Sequence, residues 1–478
     1  MRPFCAVKHT YFCIVSLVFK LHRFFVTKSS LILFLGNICF DICTWFIYNI
    51  FSNLWKQVKI VAKLSMKKLP YHYGLKVRCY PSSQQKAIIK RNSDASRFVY
   101  NELVAISREL YELKRIKLPI DTVQQRIHQL EQRKKSTKNI SDEHLFLCHK
   151  DIDSLSLANA KQNYAKAWKA FRKVHRSGVP VFHKKNYTWK YQTNAQYSSK
   201  ASRPSLLNGT VKFLGRNHAK LPKLGVIRTS AIRSKIWKMR EVVRIGTVTV
   251  TKDSADCFYL SFQLGSTQPF IGAVTFNNEK LGVDLNTENF LTDSNGAIVA
   301  NPRYYRKVLK QLNQQKRKLS RRQLRAKKEH RPLREAKNYQ KQRLLVAKMQ
   351  VKVAHQRLNF LHNLTTELVK NHDFLVAEEL RSKNLLKNHA LALSISDAGW
   401  RLFLQQLQNK AELYGKTFVA VDPRNTTQTC SKCGYLLSGS NKLTLKDRTW
   451  QCPQCHTKHQ RDHNAAKNIL VKGIDQLA

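Results

Sequence analysis

Two cysteine pairs near the carboxyl end constrain this chain more than any other feature. Cys430 and Cys433, then Cys452 and Cys455, form CxxC pairs separated by 18 residues. A CxxC turn can aim two thiolates at one ion, and two such turns complete a tetrahedral site, the arrangement of a zinc ribbon. Gly434 and Pro453 suit the tight turns. With four protein ligands no coordination position stays open, so the zinc is expected to be structural; the alternative is a reduced, metal-free loop. His456 and His459 are not expected as ligands. Seven further cysteines (Cys5, Cys13, Cys39, Cys43, Cys79, Cys148 and Cys257) show no paired spacing, which argues for a reducing compartment over a disulfide framework.

Charge sets the second constraint. The 478 residues carry 85 Lys and Arg against 30 Asp and Glu, a formal net charge of +55. A compact protein tolerates such an excess when a polyanion shares it, so nucleic acid is the leading partner, and charge alone does not separate DNA from RNA. The excess is concentrated between Arg303 and Arg357, where 20 Lys or Arg face two acids, Glu329 and Glu335. A solvated helix would interleave acids for support. Leu309, Leu312, Leu319 and Leu324, then Leu344, Leu345, Met349 and Leu358, give narrow apolar stripes broken at "KEHRPL". The pattern predicts a basic helical hairpin over 303–370, one edge on a core and a broad face on phosphates. Arg306, Lys310, Arg317, Lys318, Arg321, Arg322 and Arg325 are its candidate nucleic-acid contacts.

Residues 1–65 do not match the remainder. "LILFLGNICFDICTWFIYNIF" has the apolarity of a membrane anchor, yet Met66 opens "MKKLPYHYGLKVRCYP", a basic start that suits a soluble protein. Residues 1–65 are therefore expected to be an upstream extension outside the functional protein, and no membrane partner is expected unless they belong to it.

From Met66 onward the pattern is multidomain α/β and β. "YGLKVRCY" alternates as a strand; Pro81 and Ser82 make a turn and helix cap, with Gln84 and Gln85 entering the helix. Helical periodicity then runs to about Lys173, and Phe98, Tyr100, Tyr164, Trp168 and Phe171 read as its core. Short strands rich in Val, Ile, Thr and aromatics follow from about Gly209 to Phe270, suggesting a small β-barrel or curved sheet. "EKLGVDLNTENFLTDSNGAIVA" predicts a buried strand and a hairpin at "DSNG". "HDFLVAEEL" is a strand ending in two carboxylates, "ISDAGWRLFLQQLQNKAELYG" an amphipathic helix stopped by Gly415, and "KTFVAVDP" another strand.

Three acids stand out by position. Asp284 follows the apolar "LGV", Glu378 follows "FLVA", and Asp462 heads the helix in "RDHNAAKNIL". They lie 94 and 84 residues apart in sequence, yet each could reach one sheet edge. Converging carboxylates of this kind suit two magnesium ions acting on a phosphodiester.

The ordered series "LGVDLN", "FLVAEEL", "ISDAGW", "KAELYGKTFVAVDP", "TCSKCGY", "WQCPQC" and "RDHNAAKNIL" resembles the TnpB family, the OrfB-type proteins of small transposons related to type V CRISPR effectors. Upstream, "LKVRCYPSSQQ", "SRFVYNEL", "AKAWKAFRKVHRSGVPVFHKK" and "LPKLG" resemble the family's helical and barrel regions, so the likeness spans roughly Tyr71 to Val471. It implies an RNA-guided DNA endonuclease with a RuvC-like, RNase H-type nuclease domain and an inserted zinc ribbon. Asp284, Glu378 and Asp462 would be the catalytic, magnesium-binding acids, with Glu379 in the noncatalytic place. Implied partners are a transposon-derived guide RNA and double-stranded target DNA, with pairing supplying most of the specificity and no small-molecule cofactor. The implied setting is the prokaryotic cytoplasm, associated with the nucleoid.

The implied division is 66–82 as the first strand of a β-barrel (wedge) domain, 83–185 a helix-turn-helix-like recognition domain, and 186–272 the rest of the barrel. The nuclease domain then occupies 273–428 and 457–478, around a target-binding ribbon at 429–456. Two departures stand out. Asn286 replaces the family's usual Gly, where Asn tolerates a left-handed turn, and His463 replaces an aliphatic residue. A non-cleaving DNA- or RNA-binding accessory of transposition is the competing reading. No His-and-Tyr nucleophile arrangement for joining transposon ends is evident.

Overall fold

The computed structural model describes residues 65–116, 120–174, 177–198, 204–272, 274–379, 389–444 and 446–477. The expectation for residues 1–65 lies, but for Ser65, outside the described residues. Among the described residues no helix is long and apolar enough to cross a membrane.

Strand β1 (Tyr71–Tyr80) alternates as its sequence does, with Leu75, Val77 and Cys79 turned inward. Helix α1 (Ser83–Leu113) follows through a capping box: the Ser82 side chain accepts from Gln85 N while the Gln85 side chain accepts from Ser82 N. The helical region continues as α2 (Asp121–Lys135), α3 (Thr137–Glu143) and α4 (Ser154–Lys173). Tyr100 and Tyr164 are buried between α1 and α4, and Phe98 and Trp168 pack at the edge of that core. Phe171, one turn beyond Trp168, packs edge-on against that ring at 5.8 Å but stays exposed, outside the buried core.

The chain then returns to the sheet that β1 began. Strands β2 (Trp189–Asn194), β3 (Lys212–Gly215), β4 (His218–Leu221) and β5 (Gly225–Thr229) precede the short helix α5 (Ser234–Lys238) and strands β6 (Val243–Lys252) and β7 (Phe258–Ser266). They pair in the order β2-β6-β7-β1-β5-β4-β3, so residues 83–173 form a helical insertion into one seven-stranded antiparallel sheet. The two ends of that order, β2 and β3, are not paired with each other in it.

The second sheet positions the candidate site. It comprises β8 (Lys280–Asp284), β9 (Leu291–Asp293) and β10 (Ile298–Val299), followed after helices α6 (Tyr304–Lys328) and α7 (Lys337–Asn371) by β11 (Phe374–Glu378). Helices α8 (His389–Ala398) and α9 (Trp400–Tyr414) lead to β12 (Thr417–Val421). The order is β10-β9-β8-β11-β12, with β8, β11 and β12 mutually parallel and the hairpin β9–β10 antiparallel. Leu361, Leu364 and Leu368 of α7, with Phe403 and Leu407 of α9, cover one face. Beyond the small strands β13 (Thr449–Gln451) and β14 (Lys458–Gln460), helix α10 (Arg461–Asp475) covers the other, its Ile469 packed on Val376 and Val421. Burial on both faces explains why "LGV" and "FLVA" are continuous apolar runs and do not alternate.

Two expectations are corrected here. The helix expected from "ISDAGW" onward is two helices, because Gly399 takes a left-handed φ of 73° between α8 and α9. In the basic hairpin, Leu312 is buried as its stripe predicts, but Leu324, Leu345 and Leu358 are exposed, and Ala326, Val346, Ala347 and Val353 are buried instead. Helix α6 has no cap of its own. Asp397 of α8 supplies one, accepting from Tyr305 N at 3.0 Å and Arg306 N at 3.2 Å while paired with Arg357.

Candidate functional site

Register brings the first two acids together. Ala377 of β11 lies opposite Val283 of β8, so the next residues, Glu378 and Asp284, end adjacent parallel strands side by side. This is the carboxyl edge of the sheet, and β8 is its switch point, with β9 on one side and β11 on the other. Open α/β sheets bind ligands in the crevice at such a point.

Helix α10 brings the third. Gly282 lies so close to it that a Cβ there would sit 2.2 Å from the Ala466 carbonyl oxygen, and a Cβ on Gly473 would sit 2.4 Å from a Val376 methyl. Two missing side chains let the helix lie directly on β8 and β11. Asp462, in its first turn, thereby reaches the edge where Asp284 and Glu378 end.

Asp284, Glu378 and Asp462 are 7%, 9% and 9% exposed. Burial pushes the Asp284 carboxyl well above its ordinary pKa, and the charges of Glu378 and Asp462 push it further, against a hydrogen bond from Asn286 and the charge of Arg461. Burial also raises Glu378, opposed by a hydrogen bond from Thr426 and by Lys472. Asp462 pairs with Arg461 at 3.1 Å, and Arg448 reaches it at 3.6 Å while held by Glu288 at 2.7 Å. A buried carboxyl whose pKa neighbouring acids raise favours a cation beside it, and carboxylate oxygens are the hard ligands that magnesium takes. Glu379 is exposed, with its backbone N–H given to Val421 O.

Asn286 does not use the left-handed conformation expected of it. Its side chain instead donates to Thr292 Oγ1 and accepts from Asn289 N, closing the turn after β8. His463 packs its ring on the 293–297 turn, 3.5 Å from where a Gly296 Cβ would stand, and donates from Nε2 to Ser294 O at 3.1 Å. Ser294 in turn exchanges hydrogen bonds with Gly282.

The cysteines converge beside this edge. Among the described residues they are the one set of three or more potential ligands gathered tightly, with all four Sγ atoms within 4.8 Å of one another. Cys430 and Cys455, and Cys433 and Cys452, are 3.6 Å apart at sulfur. Zn–S bonds of about 2.3 Å in a tetrahedron place sulfurs about 3.8 Å apart, so the set fits a structural zinc ion. The two turns are near copies: Gly434 N donates to Cys430 O and Cys430 N to Tyr435 O, as His456 N does to Cys452 O and Cys452 N to Thr457 O. Gly434 has φ 78°, and His456 holds the matching left-handed position at φ 55°. His459 is outside the four, with Nε2 3.1 Å from Cys430 Sγ.

All seven candidate basic contacts, Arg306, Lys310, Arg317, Lys318, Arg321, Arg322 and Arg325, are exposed on α6. Arg317 and Arg321 line a shallow groove with Asn313, Lys316 and Ser320. A second cleft, between α1, α4 and residues 183–192, holds Tyr100 stacked on His183 at 3.9 Å beside Lys184, Lys185 and Arg97. The sequence did not reveal this cleft, nor Thr426, Arg448, Asn464 and Asn468; each acts through tertiary contacts with no local pattern.

Three family models match the chain. "Helix-turn-helix domain" of the OrfB/IS605 type covers residues 71–116, "Probable transposase" of the OrfB/IS605 type 266–389, and "Cas12f1-like, TNB domain" 400–469. A Streptomyces pristinaespiralis protein named "Putative RNA-guided DNA endonuclease" is 29% identical over 84% of this chain and 89% of its own length. The Escherichia coli K12 protein named "Putative RNA-guided DNA endonuclease InsQ" is 25% identical over 86% of this chain and 94% of its own. The solved Cas12f1 chain, in a complex with guide RNA and target DNA, superposes with a TM-score of 0.50 at 14% identity, over 84% of this chain and 98% of that one.

Fold and site together define a mixed α/β protein of Cas12f-like architecture carrying a zinc-binding TNB domain. The chain is similar to the TnpB family of OrfB-type, transposon-associated proteins across its helical, central and carboxyl-terminal regions.

Proposed function

We propose that the protein is an RNA-guided DNA endonuclease encoded by a transposable element, with the second sheet and α10 as a RuvC-like nuclease domain. The observation that carries this is the meeting of Asp284, Glu378 and Asp462, three buried carboxylates from β8, β11 and α10, at one sheet edge. The names of its relatives point the same way.

In this reading Asp284, Glu378 and Asp462 hold magnesium, two ions in the full centre. Bound there, magnesium would activate water and stabilise the leaving oxygen of a phosphodiester. The chain's own groups prepare that step. Asn286 orients Asp284, while Arg461 and Arg448 offset the charge of Asp462, which would hold the metal.

The remaining parts take roles consistent with charge and position. The seven-stranded sheet is read as the barrel (wedge) domain over 66–82 and 186–272, and residues 83–185 as the recognition domain, whose Tyr100–His183 cleft would meet duplex beside the target. The exposed α6 cations would track phosphates of the guide–target duplex, read by shape while base pairing supplies sequence. The zinc ribbon, 429–456, would hold target strand beside the carboxylates.

The test is to purify the full chain from cells carrying its element and sequence the RNA that travels with it. A discrete species from the element's own end is expected; recovery of none would contradict guided action and favour the non-cleaving regulator.

A further inference from the structure

We infer that Thr426 is a positioning residue for Glu378, and that the zinc ribbon holds it in place through the segment 425–431. The inference rests on the metal-binding role proposed above for Asp284, Glu378 and Asp462.

Thr426 is 2% exposed and has one hydroxyl proton to give. Two acceptors compete for it, Glu378 Oε1 at 2.5 Å and Pro423 O at 3.1 Å, and the carboxylate is the nearer. A hydrogen bond to an ionised acceptor is the stronger kind. It fixes one Glu378 oxygen and thereby decides how the other faces Asp284. A carboxylate at the end of a two-methylene stem needs such a constraint, because its terminal torsion is soft.

What holds Thr426 comes from the neighbouring modules. Asn425 stands in the left-handed region at φ 61°, and its carbonyl receives Gln428 N, Thr429 N and Thr429 Oγ1, forming a compact turn. Asn468 of α10 donates to Thr426 O at 2.8 Å and to Thr429 O at 2.6 Å. One turn earlier on that helix, Asn464 donates to Thr429 O at 2.7 Å and accepts from Ser431 N at 2.9 Å. Both asparagines are buried, and Cys430 lies between the residues that Asn464 binds.

The segment is therefore bound at one end to the helix that carries Asp462 and at the other to the first zinc knuckle. Thr426 is where these constraints reach Glu378. Loss of the knuckle would free residues 428–431 and, through the shared turn, the hydroxyl. The zinc ribbon then affects the metal centre by way of Glu378 as well as by holding nucleic acid.

The experiment uses the full chain with its copurified RNA, in zinc-loaded, magnesium-free buffer, and measures Mn²⁺ binding by electron paramagnetic resonance alongside duplex cleavage. Thr426→Val keeps the shape and removes the proton; Thr426→Ser keeps the proton. Outer-shell partners of metal ligands contribute about 10–100-fold to metal affinity. Thr426→Val should weaken Mn²⁺ binding by that factor, with Tm and duplex binding unchanged, and Thr426→Ser should restore most of it. Wild-type affinity in Thr426→Val, or equal damage in Thr426→Ser, would overturn the assignment.

A double-mutant cycle tests the ribbon's part. Cys452→Ser should weaken Mn²⁺ binding, and adding Thr426→Val should cost little more; fully additive losses would refute the coupling. If Mn²⁺ binds in an Asp284-dependent way but no duplex is cut, the nuclease proposal fails while the binding data still decide the role of Thr426. If Asp284→Ala leaves Mn²⁺ binding unchanged, the site and the role of Thr426 fall together.

Discussion

Gly282 of β8 lies beneath Ala466 of α10 with no room for a side chain: a Cβ would approach the Ala466 carbonyl oxygen to 2.2 Å. This close approach sets the distance between the strand that ends in Asp284 and the helix that begins with Asp462. Gly282→Ala must lift α10 from the sheet. Overpacking of this kind costs about 1–3 kcal/mol. Thermal unfolding should report that loss, and Mn²⁺ binding should weaken although no ligand has changed.

Asp284 gives a prediction with opposite signs for stability and activity. Burial first, then Glu378 and Asp462, raise its carboxyl pKa in the folded state. The folded protein therefore binds this proton more tightly than the unfolded chain, and stability falls as pH rises from the ordinary carboxylate range through the raised value. Asp284→Asn should abolish cleavage yet raise the Tm of magnesium-free protein at pH 7, and the gain should fade in acid. Melting curves at pH 4 and pH 7 check both halves.

Asp373, half-buried beside the buried Lys416, titrates the other way. Lys416 holds Asp373 Oδ1 at 2.8 Å, and the second carboxylate oxygen accepts from Asn277 N and Asn278 N, anchoring the chain just before β8. Burial alone would raise the Asp373 pKa, but the Lys416 hydrogen bond and the two backbone donors outweigh it and lower it. The stability this confers is present above the ordinary carboxylate pKa and lost as pH falls through the lowered one. Asp373→Asn should destabilise the protein at neutral pH, and the difference from wild type should close in strong acid.

The second zinc knuckle carries a conformational cost that the first avoids. His456 occupies the left-handed position filled by Gly434 in the first. A non-glycine residue there costs roughly 1–2 kcal/mol. His456→Gly should therefore raise the Tm of the zinc-loaded protein, and His456→Val should lower it. Cys452→Ser should release zinc to a chromophoric chelator and reduce stability by more than either.

The legible parts of this fold were those written in local pattern. The CxxC spacing encodes a turn whose two thiols must share a direction, so the convergence of all four cysteines could be read directly. Asp284 and Glu378 were visible because each ends an apolar run, the mark of a strand buried on both faces. The capping box at Ser82 and Gln85 is equally local. What escaped depends on distant approach. Thr426 looks like an ordinary loop threonine until Glu378 arrives from 48 positions upstream. Asp397 reads as a helix residue, yet it caps α6. The polar run in β2 resembles a loop, and its strand character comes from pairing with β6. Gly399 sat inside a continuous amphipathic pattern, and periodicity alone cannot show that a glycine will turn left-handed. The exposed Leu324, Leu345 and Leu358 follow from the same limit, because a helix stripe does not reveal where its partner ends.

The α6 cations offer a test in salt. Arg317 and Arg321 are exposed four residues apart, about one helical turn, on a face with no acid between them. Neutralising one cation that pairs with a phosphate should reduce the slope of log affinity against log salt by about 0.7–0.9. Arg317→Gln and Arg321→Gln together should flatten the salt dependence of RNA binding while leaving the Tm unchanged.

The most direct measurement is cleavage of a duplex matched to the copurified RNA, by wild-type protein and Asp284→Ala, each with Mg²⁺ and with EDTA. Cutting by wild type in Mg²⁺ alone, with full duplex binding but no cutting by Asp284→Ala, is the predicted result. Equal cutting by both proteins, or cutting that survives EDTA, would contradict the assignment of the carboxylate edge as the nuclease centre.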